Sequence, residues 1–348
     1  MTSNAGADVD VVCLGESMVT FVPSAPGRLA DVPSFARTIG GAESNVACAL
    51  AAAGHRAKWV GRVGTDGFGE HLVEAIAAYG VDTSAVARDP ERPTGVYFRT
   101  ATDRATSDHE VVYYRAGSAA SAMSPETVPW ETVGGGRVLH LSGITAALSE
   151  DCLALMRELV GGRPGRPLVS FDVNHRAGLW RDGRGPEVLL GLVRGADVVF
   201  VGEDEAEEAW GVVGPDAVRE LLPEPAVLVV KRGGDGAVAF ERGAATRTAV
   251  PATRTAVPAP RVDVVAPVGA GDAFAAGFLS ATLRGLGVKE RLRHGHLMAA
   301  AALTVPGDLA VPARRSHADR LAALSDDAWG RLRLGPGWTG DHQEVRTP

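Results

Sequence analysis

The chain has 348 residues, a formal net charge of −7 and 45% hydrophobic residues. That length suffices for one large core, or for one domain with a smaller appendage. The absence of a basic excess argues against nucleic-acid binding, and no apolar run approaches the roughly 20 residues that cross a bilayer. The polar N-terminus is unlike a secretory signal. Cys13, Cys48 and Cys152 lack C-x-x-C spacing, so we expect buried thiols in a reducing cytoplasm.

Short apolar runs recur along the chain and are typical of buried parallel strands. Patterns typical of amphipathic helices lie between them. Alternating strands and helices predict a doubly wound α/β domain with right-handed crossovers, in which ligands bind at the carboxyl ends of the strands. The predicted strands are 9–14, 57–63, 138–142, 168–172, 198–201 and 227–231, and the predicted helices include 44–53, 69–79, 149–159 and 217–222.

Two segments, 16–39 and 94–116, break this pattern. Their alternating polarity, as in Gly95-Val-Tyr-Phe-Arg99, predicts antiparallel strands outside the main sheet. We interpret them as a small β lid over a ligand site, because lids exclude water from bound ligands. A hairpin at the sheet edge is the alternative.

Residues 246–252 and 253–259 form a perfect tandem repeat of Thr-Arg-Thr-Ala-Val-Pro-Ala. Its prolines, followed by Pro260, are incompatible with a central strand throughout, so we expect an extended surface loop. Residues 331–348 are rich in glycine, proline and polar residues. They are predicted to form a tail beyond a single domain that spans 9–330.

The segment 266–272 combines a glycine turn with the start of an apolar helix. The N–H groups of Gly269, Ala270 and Gly271 would then point at one spot, and such a spot binds phosphate oxygens with help from the helix dipole. Asp272 has two interpretations. It is either the N-cap of the helix, which stabilises by about 1 kcal/mol, or a base that accepts a hydroxyl proton during phosphoryl transfer.

A second glycine pair opens the helix that carries Asn45, in Gly40-Gly-Ala-Glu-Ser-Asn45. Together with 266–272, this segment resembles the two signatures of the PfkB/ribokinase family of sugar kinases. The resemblance runs from about Val11 to Arg314 and includes 59–69 and 80–83 in the expected order. It implies a ribokinase-like fold, with a doubly wound, mostly parallel sheet and a small β lid. It also implies ATP as phosphoryl donor, with Mg²⁺.

Several segments resemble the 2-keto-3-deoxygluconate kinase branch of this family, among them 93–97, 113–118, 140–145 and 172–176. A sugar acid carries a carboxylate, which suits bidentate pairing with arginine. Arg115 on the proposed lid and Arg176 after a predicted strand could converge over one cleft, although either could also be a solvated arginine. The resemblance implies sugar-acid contacts by Gly41, Asn45, Tyr97, Tyr113, Arg115, Arg176 and Asp308, with lid packing as the alternative for the tyrosines.

The segment Lys231-Arg-Gly-Gly-Asp-Gly236 follows an apolar strand and matches the nucleotide loop of the family. The resemblance implies contacts with ATP by Lys231, Gly233 and Gly236. Asn174 and His296 are further, weaker candidates for nucleotide contacts.

Glu205 stands at the end of Gly202-Glu-Asp-Glu205, where the family has Asn-x-x-Glu. It would order water bound to Mg²⁺, or it is the first-turn acid of a helix. Gly202 replaces the asparagine of this motif. Ala266 stands where many members have an aspartate that helps bind a monovalent cation, so we predict weak or absent activation by K⁺.

The sequence therefore predicts that Asp272 takes the proton from the terminal hydroxyl of 2-keto-3-deoxygluconate, while the 269–271 N–H groups stabilise the transferring phosphoryl group. Two alternatives stay open: the same chemistry on a neutral ketose such as fructose, and a non-catalytic sugar-binding relative. A dehydrogenase is disfavoured, because no Gly-x-Gly-x-x-Gly follows the first strand. A β lid also offers edges that could pair in a homodimer.

Overall fold

The computed structural model describes residues 8–25, 27–100, 110–180, 182–242 and 252–340. Strands are named β and helices α in chain order. The strands within these ranges are Val9–Leu14 (β1), Met18–Pro23 (β2), Phe35–Gly40 (β3), Ala57–Val60 (β4), Arg62–Gly64 (β5), Ala87–Asp89 (β6), Val96–Arg99 (β7), Val111–Tyr114 (β8), Gly136–Ser142 (β9), Leu168–Asp172 (β10), Val198–Gly202 (β11), Val227–Lys231 (β12), Ala237–Glu241 (β13), Thr253–Val257 (β14), Arg261–Val262 (β15) and Arg333–Leu334 (β16).

The α-helices within the same ranges alternate with the strands of the central sheet. They are Ala42–Ala52 (α1), Gly67–Ala77 (α2), Trp130–Val133 (α3), Gly143–Ala146 (α4), Glu150–Val160 (α5), Gly185–Arg194 (α6), Glu203–Trp210 (α7), Pro215–Leu221 (α8), Ala270–Leu283 (α9), Val288–Leu303 (α10), Arg315–Ala322 (α11) and Asp326–Gly330 (α12).

The central sheet has the order β14-β13-β12-β11-β10-β9-β1-β4 in the described part of the chain. The six strands from β12 to β4 in this order run parallel, and β13 and β14 are antiparallel to their neighbours. Helices α1, α9 and α10 bury apolar residues against one face, and α5, α6 and α8 cover the other. The predicted doubly wound α/β fold is confirmed.

The predicted strand 57–63 is two strands in the structure. β4 belongs to the central sheet, whereas β5 pairs with β6 in a separate ribbon. The break falls at Gly61, where a Cβ atom would lie 2.6 Å from the buried indole of Trp59. The chain therefore bends around Trp59 before it continues.

The segments 16–39 and 94–116 contain β2, β3, β7 and β8, which form a separate sheet of order β3-β2-β7-β8. The prediction of purely antiparallel pairing is wrong, because β2 and β7 run parallel. The chain passes through β4 and α2 between these two strands, and a parallel pair needs such a crossover. The alternative of a hairpin on the edge of the main sheet is also wrong.

The tandem repeat is not a surface loop throughout. Its second copy contains β14, which pairs antiparallel with β13 at the edge of the central sheet. An edge strand tolerates a proline at its end, and Pro258 follows directly after Val257. Residues 246–251 of the first copy lie outside the described residues.

The predicted tail begins too early. Leu332, Leu334 and Trp338 are buried in the main core, and β16 pairs with β15. Burial of three large apolar side chains outweighs the polar composition around them. The remaining tail residues, 341–348, lie outside the described part of the chain.

Candidate active site

Two adjoining cavities lie at the carboxyl ends of the parallel strands. The smaller, of about 380 Å³, reaches under the lid sheet, and the larger, of about 1160 Å³, extends beyond β11 and β12. They share Glu205, Lys231 and the turn that begins α9. The cavities therefore meet where the sequence predicts the phosphate-binding turn.

Gly269 precedes α9 with a φ of 70°, in the left-handed region that favours glycine. A Cβ atom at this position would lie 2.2 Å from the carbonyl oxygen of Asp308, so no larger residue fits. Gly269 is the N-cap, and Asp272 lies inside the first turn without capping it. The N-cap interpretation of Asp272 is therefore wrong.

Asp272 instead accepts a hydrogen bond of 2.8 Å at Oδ2 from Nδ2 of Asn45 in α1. Its pKa is raised to about 8, mainly by burial and further by the charges of Asp172 and Asp308. The Asn45 hydrogen bond and the Lys231 charge oppose this shift. A carboxylate with such a pKa is suited to accept and hold a proton near neutral pH.

The smaller cavity brings together all seven residues that the resemblance assigned to the sugar. The lid contributes from β7 and β8, the body from α1 and from the loops after β10 and α10. Asp272 lies at the same cavity. The seven are Gly41, Asn45, Tyr97, Tyr113, Arg115, Arg176 and Asp308.

Arg115 is buried in the lid and forms an ion pair with Glu16, which also accepts a hydrogen bond of 2.7 Å from Ser118. Its guanidinium carbon lies 5.6 Å from the centroid of the Tyr113 ring. Nε of Arg115 has no hydrogen-bond partner in the described residues. The solvated-arginine interpretation is therefore wrong for Arg115, whose buried Nε stays unpaired among the described residues.

Arg176 approaches the cavity from the body of the domain, opposite the lid. Its side chain is 54% exposed, and Nη1 donates to the carbonyl oxygen of His175 at 2.8 Å. The nearest carboxylate oxygen, Oε1 of Glu205, lies 3.5 Å from Nη1. Arg176 is thus less firmly paired than Arg115.

Asp308 connects the body of the domain to the lid. Its Oδ1 accepts from Arg99 at 2.9 Å, and its Oδ2 accepts from the Tyr97 hydroxyl at 3.4 Å. The sequence analysis missed Arg99 and Glu16, which both line the cavity. Strand alternation could have found Arg99, because Tyr97 and Arg99 share one face of β7.

The larger cavity is lined by Lys231, Gly233, Gly236 and His296, four of the five predicted nucleotide contacts. The fifth, Asn174, lines the smaller cavity only. His296 is buried against Phe274, and its Nε2 lies 3.2 Å from the carbonyl oxygen of Val257. Burial lowers its pKa to about 4, so His296 forms a neutral wall.

Acidic and basic groups alternate where the two cavities meet. Nζ of Lys231 donates to both carboxylate oxygens of Asp172, at 2.8 and 3.1 Å. Glu205 lies in the first turn of α7, where Oε2 accepts from the Gly202 N–H at 2.8 Å. Burial raises the pKa of Glu205, opposed by the charge of Lys231. Glu205 is thus a first-turn acid of a helix, as in the second interpretation, and it also lines both cavities.

Comparisons with known proteins agree with this arrangement. The model of the pfkB family of carbohydrate kinases matches residues 8–314. The chain is 34% identical over 321 residues to 2-dehydro-3-deoxygluconokinase of Bacillus subtilis (strain 168), covering 90% of this chain and 96% of the relative. It is 33% identical over 330 residues to the enzyme of the same name from Thermoproteus tenax, covering 92% and 96%.

Two further similarities extend this comparison. The chain is 31% identical over 315 residues to the probable chloroplastic fructokinase-6 of Arabidopsis thaliana, covering 87% of this chain and 79% of the relative. The crystal structure of a PfkB protein from Polaromonas sp. JS666 superposes with a TM-score of 0.77 at 33% identity, covering 90% of this chain and 99% of that one.

The fold and the site define a phosphotransferase that acts on sugars. The chain belongs to the pfkB family of carbohydrate kinases, and it is an ATP-dependent sugar kinase. The family predicted from the two glycine signatures is thereby confirmed.

Proposed function

We propose that this kinase phosphorylates the terminal C6 hydroxyl of 2-keto-3-deoxygluconate, which is the 2-dehydro-3-deoxygluconate of the relatives' names, using ATP with Mg²⁺. One observation carries the proposal: Arg115 from the lid and Arg176 from the body of the domain line one cavity, and Asp272 lines the same cavity. Two guanidinium groups suit a carboxylate, and a carboxylate base suits the hydroxyl that is phosphorylated.

In the proposed reaction, the sugar C6 oxygen attacks the γ-phosphorus of ATP from the smaller cavity. A new P–O bond forms, the bond from the γ-phosphorus to the bridging oxygen breaks, and ADP leaves with that electron pair. The hydroxyl proton goes to Asp272. The N–H groups of Gly269, Ala270 and Gly271 stabilise the charge on the transferring phosphoryl oxygens.

The acidic residues at the mouth of the larger cavity fit Mg²⁺. Glu203, Asp204 and Glu205 line it with oxygen donors, the ligand type this ion prefers. The described residues contain no cluster of three or more groups that would hold a metal by themselves. Glu205 would therefore hold Mg²⁺ through water together with the ATP phosphates, and the bound ion would offset phosphate charge.

Arg176 has the larger share in carboxylate recognition. The charge of Arg115 is already offset by Glu16, and that of Arg99 by Asp308. Among the described residues, Glu205 at 3.5 Å is the one carboxylate that pairs with Arg176, whose Nη1 also donates to the His175 carbonyl; its half-exposed side chain keeps other donors available at the cavity wall.

A screen for ADP release across sugar acids, ketoses and nucleosides tests the proposal. We expect turnover with 2-keto-3-deoxygluconate above all others. Arg176→Ala should raise KM for the sugar acid about 100-fold, as expected for a lost charge-assisted contact. Arg163→Ala is a matched control, since this exposed arginine pairs with Glu158 far from the cavity.

A neutral ketose is the second candidate substrate. The Glu16–Arg115 pair favours it, because a lid arginine already neutralised by a carboxylate attracts a second carboxylate less strongly. Full turnover of fructose that is insensitive to Arg176→Ala would select this candidate. No ADP release with any sugar would select the non-catalytic sugar-binding relative.

We also propose a cytoplasmic location, supported by the three cysteines, which are free and buried. No helix in the described ranges is long and apolar enough to span a membrane. The homodimer through the lid stays a prediction, and the edge strand β8 with exposed Tyr114 is where it would form. Light scattering on the intact chain and on Tyr114→Lys tests it.

A further inference from the structure

Asp172 and Lys231 form a largely buried ion pair that spans one strand of the central sheet, with side chains that are 5% and 18% exposed. Asp172 ends β10 and Lys231 ends β12, with β11 between them. β11 ends at Gly202, which is in register with Lys231 and carries no side chain. The lysine side chain extends across the end of β11 and reaches both oxygens of Asp172.

This pair places the lysine ammonium beneath the phosphate-binding turn. A Cβ atom built on Gly271 would lie 3.6 Å from Nζ of Lys231. Lys231 lines both cavities, whereas Asp172 lines only the smaller one. The ammonium therefore lies at the junction where a phosphoryl group passes from one cavity to the other.

A contribution to the stability of the fold does not explain the ion pair of Asp172 and Lys231. Desolvation of two buried charges offsets most of their attraction, so a buried ion pair contributes little compared with apolar residues of similar size. A lysine also has a flexible stem, and its ammonium has no fixed position without a partner. The partner here is a carboxylate that holds Nζ through both oxygens.

The groups that face Asp272 come from four elements. They are Asn45 on α1, Asp172 on β10, Lys231 on β12 and Asp308 after α10. Asp172 and Asp308 raise the pKa of Asp272, and Asn45 and Lys231 lower it. Asp172 thus acts on the base in two ways: directly through its own charge, and indirectly by fixing the lysine.

We propose that Asp172 is a positioning residue for phosphoryl transfer, which holds the Lys231 ammonium under the 269–271 turn so that it contacts the phosphoryl group in transit. The inference rests on the proposed function. Lys231 donates hydrogen bonds throughout and transfers no proton, and Asp172 acts through Lys231.

Three variants test the inference kinetically: Lys231→Met, Asp172→Asn and the double variant. We expect Lys231→Met to lower kcat about 10³-fold, as for loss of a donor to transition-state charge, and Asp172→Asn to lower it about 10-fold to 100-fold. If Asp172 acts through Lys231, the double variant is no slower than Lys231→Met. Losses that multiply, or an unchanged kcat in Asp172→Asn, would overturn the inference.

A pH titration of the Asp272 carboxyl needs no sugar, so it tests the role of Asp172 even if the proposed substrate is wrong. The Asp272 carboxyl is followed by ¹³C NMR of protein labelled at aspartate, with Asp272→Asn for assignment. Lys231→Met should raise its pKa. Asp172→Asn should lower the pKa less in the wild-type background, where it also releases Lys231, than in the Lys231→Met background, where only its own charge is lost. Asp319→Asn, which removes a carboxylate paired with Arg284 away from both cavities, should leave the pKa and kcat unchanged. Equal shifts on Asp172→Asn in the two backgrounds would overturn the inference.

Discussion

Asn45 donates from Nδ2 to Oδ2 of Asp272 at 2.8 Å, across 227 residues of sequence. The bond joins the first turn of α1 to the first turn of α9, and thereby joins the two glycine signatures of the chain. The proposed sugar side and the proposed phosphate side of the site thus share one hydrogen bond, and the pKa of Asp272 depends on it.

The pH dependence of wild-type turnover follows from the base. Asp272 must be ionised to accept a proton, and its pKa is raised to about 8. We therefore expect kcat/KM to rise with pH between 6 and 8 and to level off above 8, because this parameter reports ionisation in the free enzyme. A pH–rate profile measures it, and a plateau that begins near pH 5 would contradict the assignment of Asp272 as base.

Removal of the Asn45 amide should move that profile. Asn45→Ala deletes a donor that favours the ionised form, so the pKa of Asp272 rises further and the acid limb moves to higher pH. At pH 7 we expect about a 10-fold loss of kcat/KM, recovered in part by raising the pH. A loss that is equal at every pH would indicate a substrate contact without effect on the base.

Asp272→Asn should abolish activity and stabilise the fold. The variant loses the proton acceptor, so we expect kcat to fall by about 10³-fold or more. The pKa of Asp272 is raised on folding, so the native state loses stability as pH rises from 3.8 to about 8. The amide avoids this loss, so the variant's Tm should exceed the wild-type Tm at pH 9 by about 2–4 °C or more.

The control for this prediction is the same comparison at low pH. Near pH 4 both carboxyl and amide are neutral, so the difference in Tm should shrink. Near-normal turnover in the variant would remove Asp272 as the base, whatever its stability.

Glu43 is a second carboxyl with a raised pKa, and it affects how the stability of the fold depends on pH. It is fully buried, and Oε1 accepts from Ser142 at 2.7 Å and from Thr145 at 2.8 Å, while Oε2 has no partner in the described residues. Burial raises its pKa to about 7. Because the pKa is raised, the native state is favoured at low pH, and stability is lost as pH rises from 4.5 to 7.

Glu43→Gln should reduce the loss of unfolding free energy between low and neutral pH by up to about 3 kcal/mol, since each pKa unit corresponds to about 1.4 kcal/mol. The variant should be less stable than wild type at pH 5, where its amide N–H groups lack acceptors, and the gap should close or reverse by pH 8. Urea unfolding at both pH values measures it, with exposed Glu158→Gln as control. A gap that is constant with pH would contradict the shifted pKa.

The sequence predicted the site better than it predicted the edges of the fold. Buried parallel strands leave continuous apolar runs, and glycine turns leave their own pattern, so the central strands and the 269–271 turn were recognisable. The edge strand β14 and the core residue Trp338 were not recognisable in the sequence. Their burial depends on elements that are distant in sequence, and their own sequence neighbours are polar.

Ion pairs explain the remaining misses within the site. Glu16 and Arg99 belong to the cavity because of partners about 100 or 200 residues away, namely Arg115 and Asp308. Strand alternation in β7 could have found Arg99, but no local spacing encodes the pairs themselves. The exchange of an asparagine for Gly202 was visible in the sequence, but the ion pair of Lys231 with Asp172 across the end of β11 needed the register of β11 and β12.

Ala266 gives the last prediction, on monovalent cations. The residue is buried directly before the phosphate-binding turn, and it has no carboxylate with which to bind a cation. We therefore expect kcat to change by less than about 2-fold when K⁺ is replaced by tetramethylammonium at constant ionic strength, since no charge-assisted contact is lost. Ala266→Asp, assayed in both salts, is the matched variant: its new carboxylate should introduce a dependence on K⁺. A loss of activity in wild type on removal of K⁺ would show that backbone oxygens alone suffice to bind the cation.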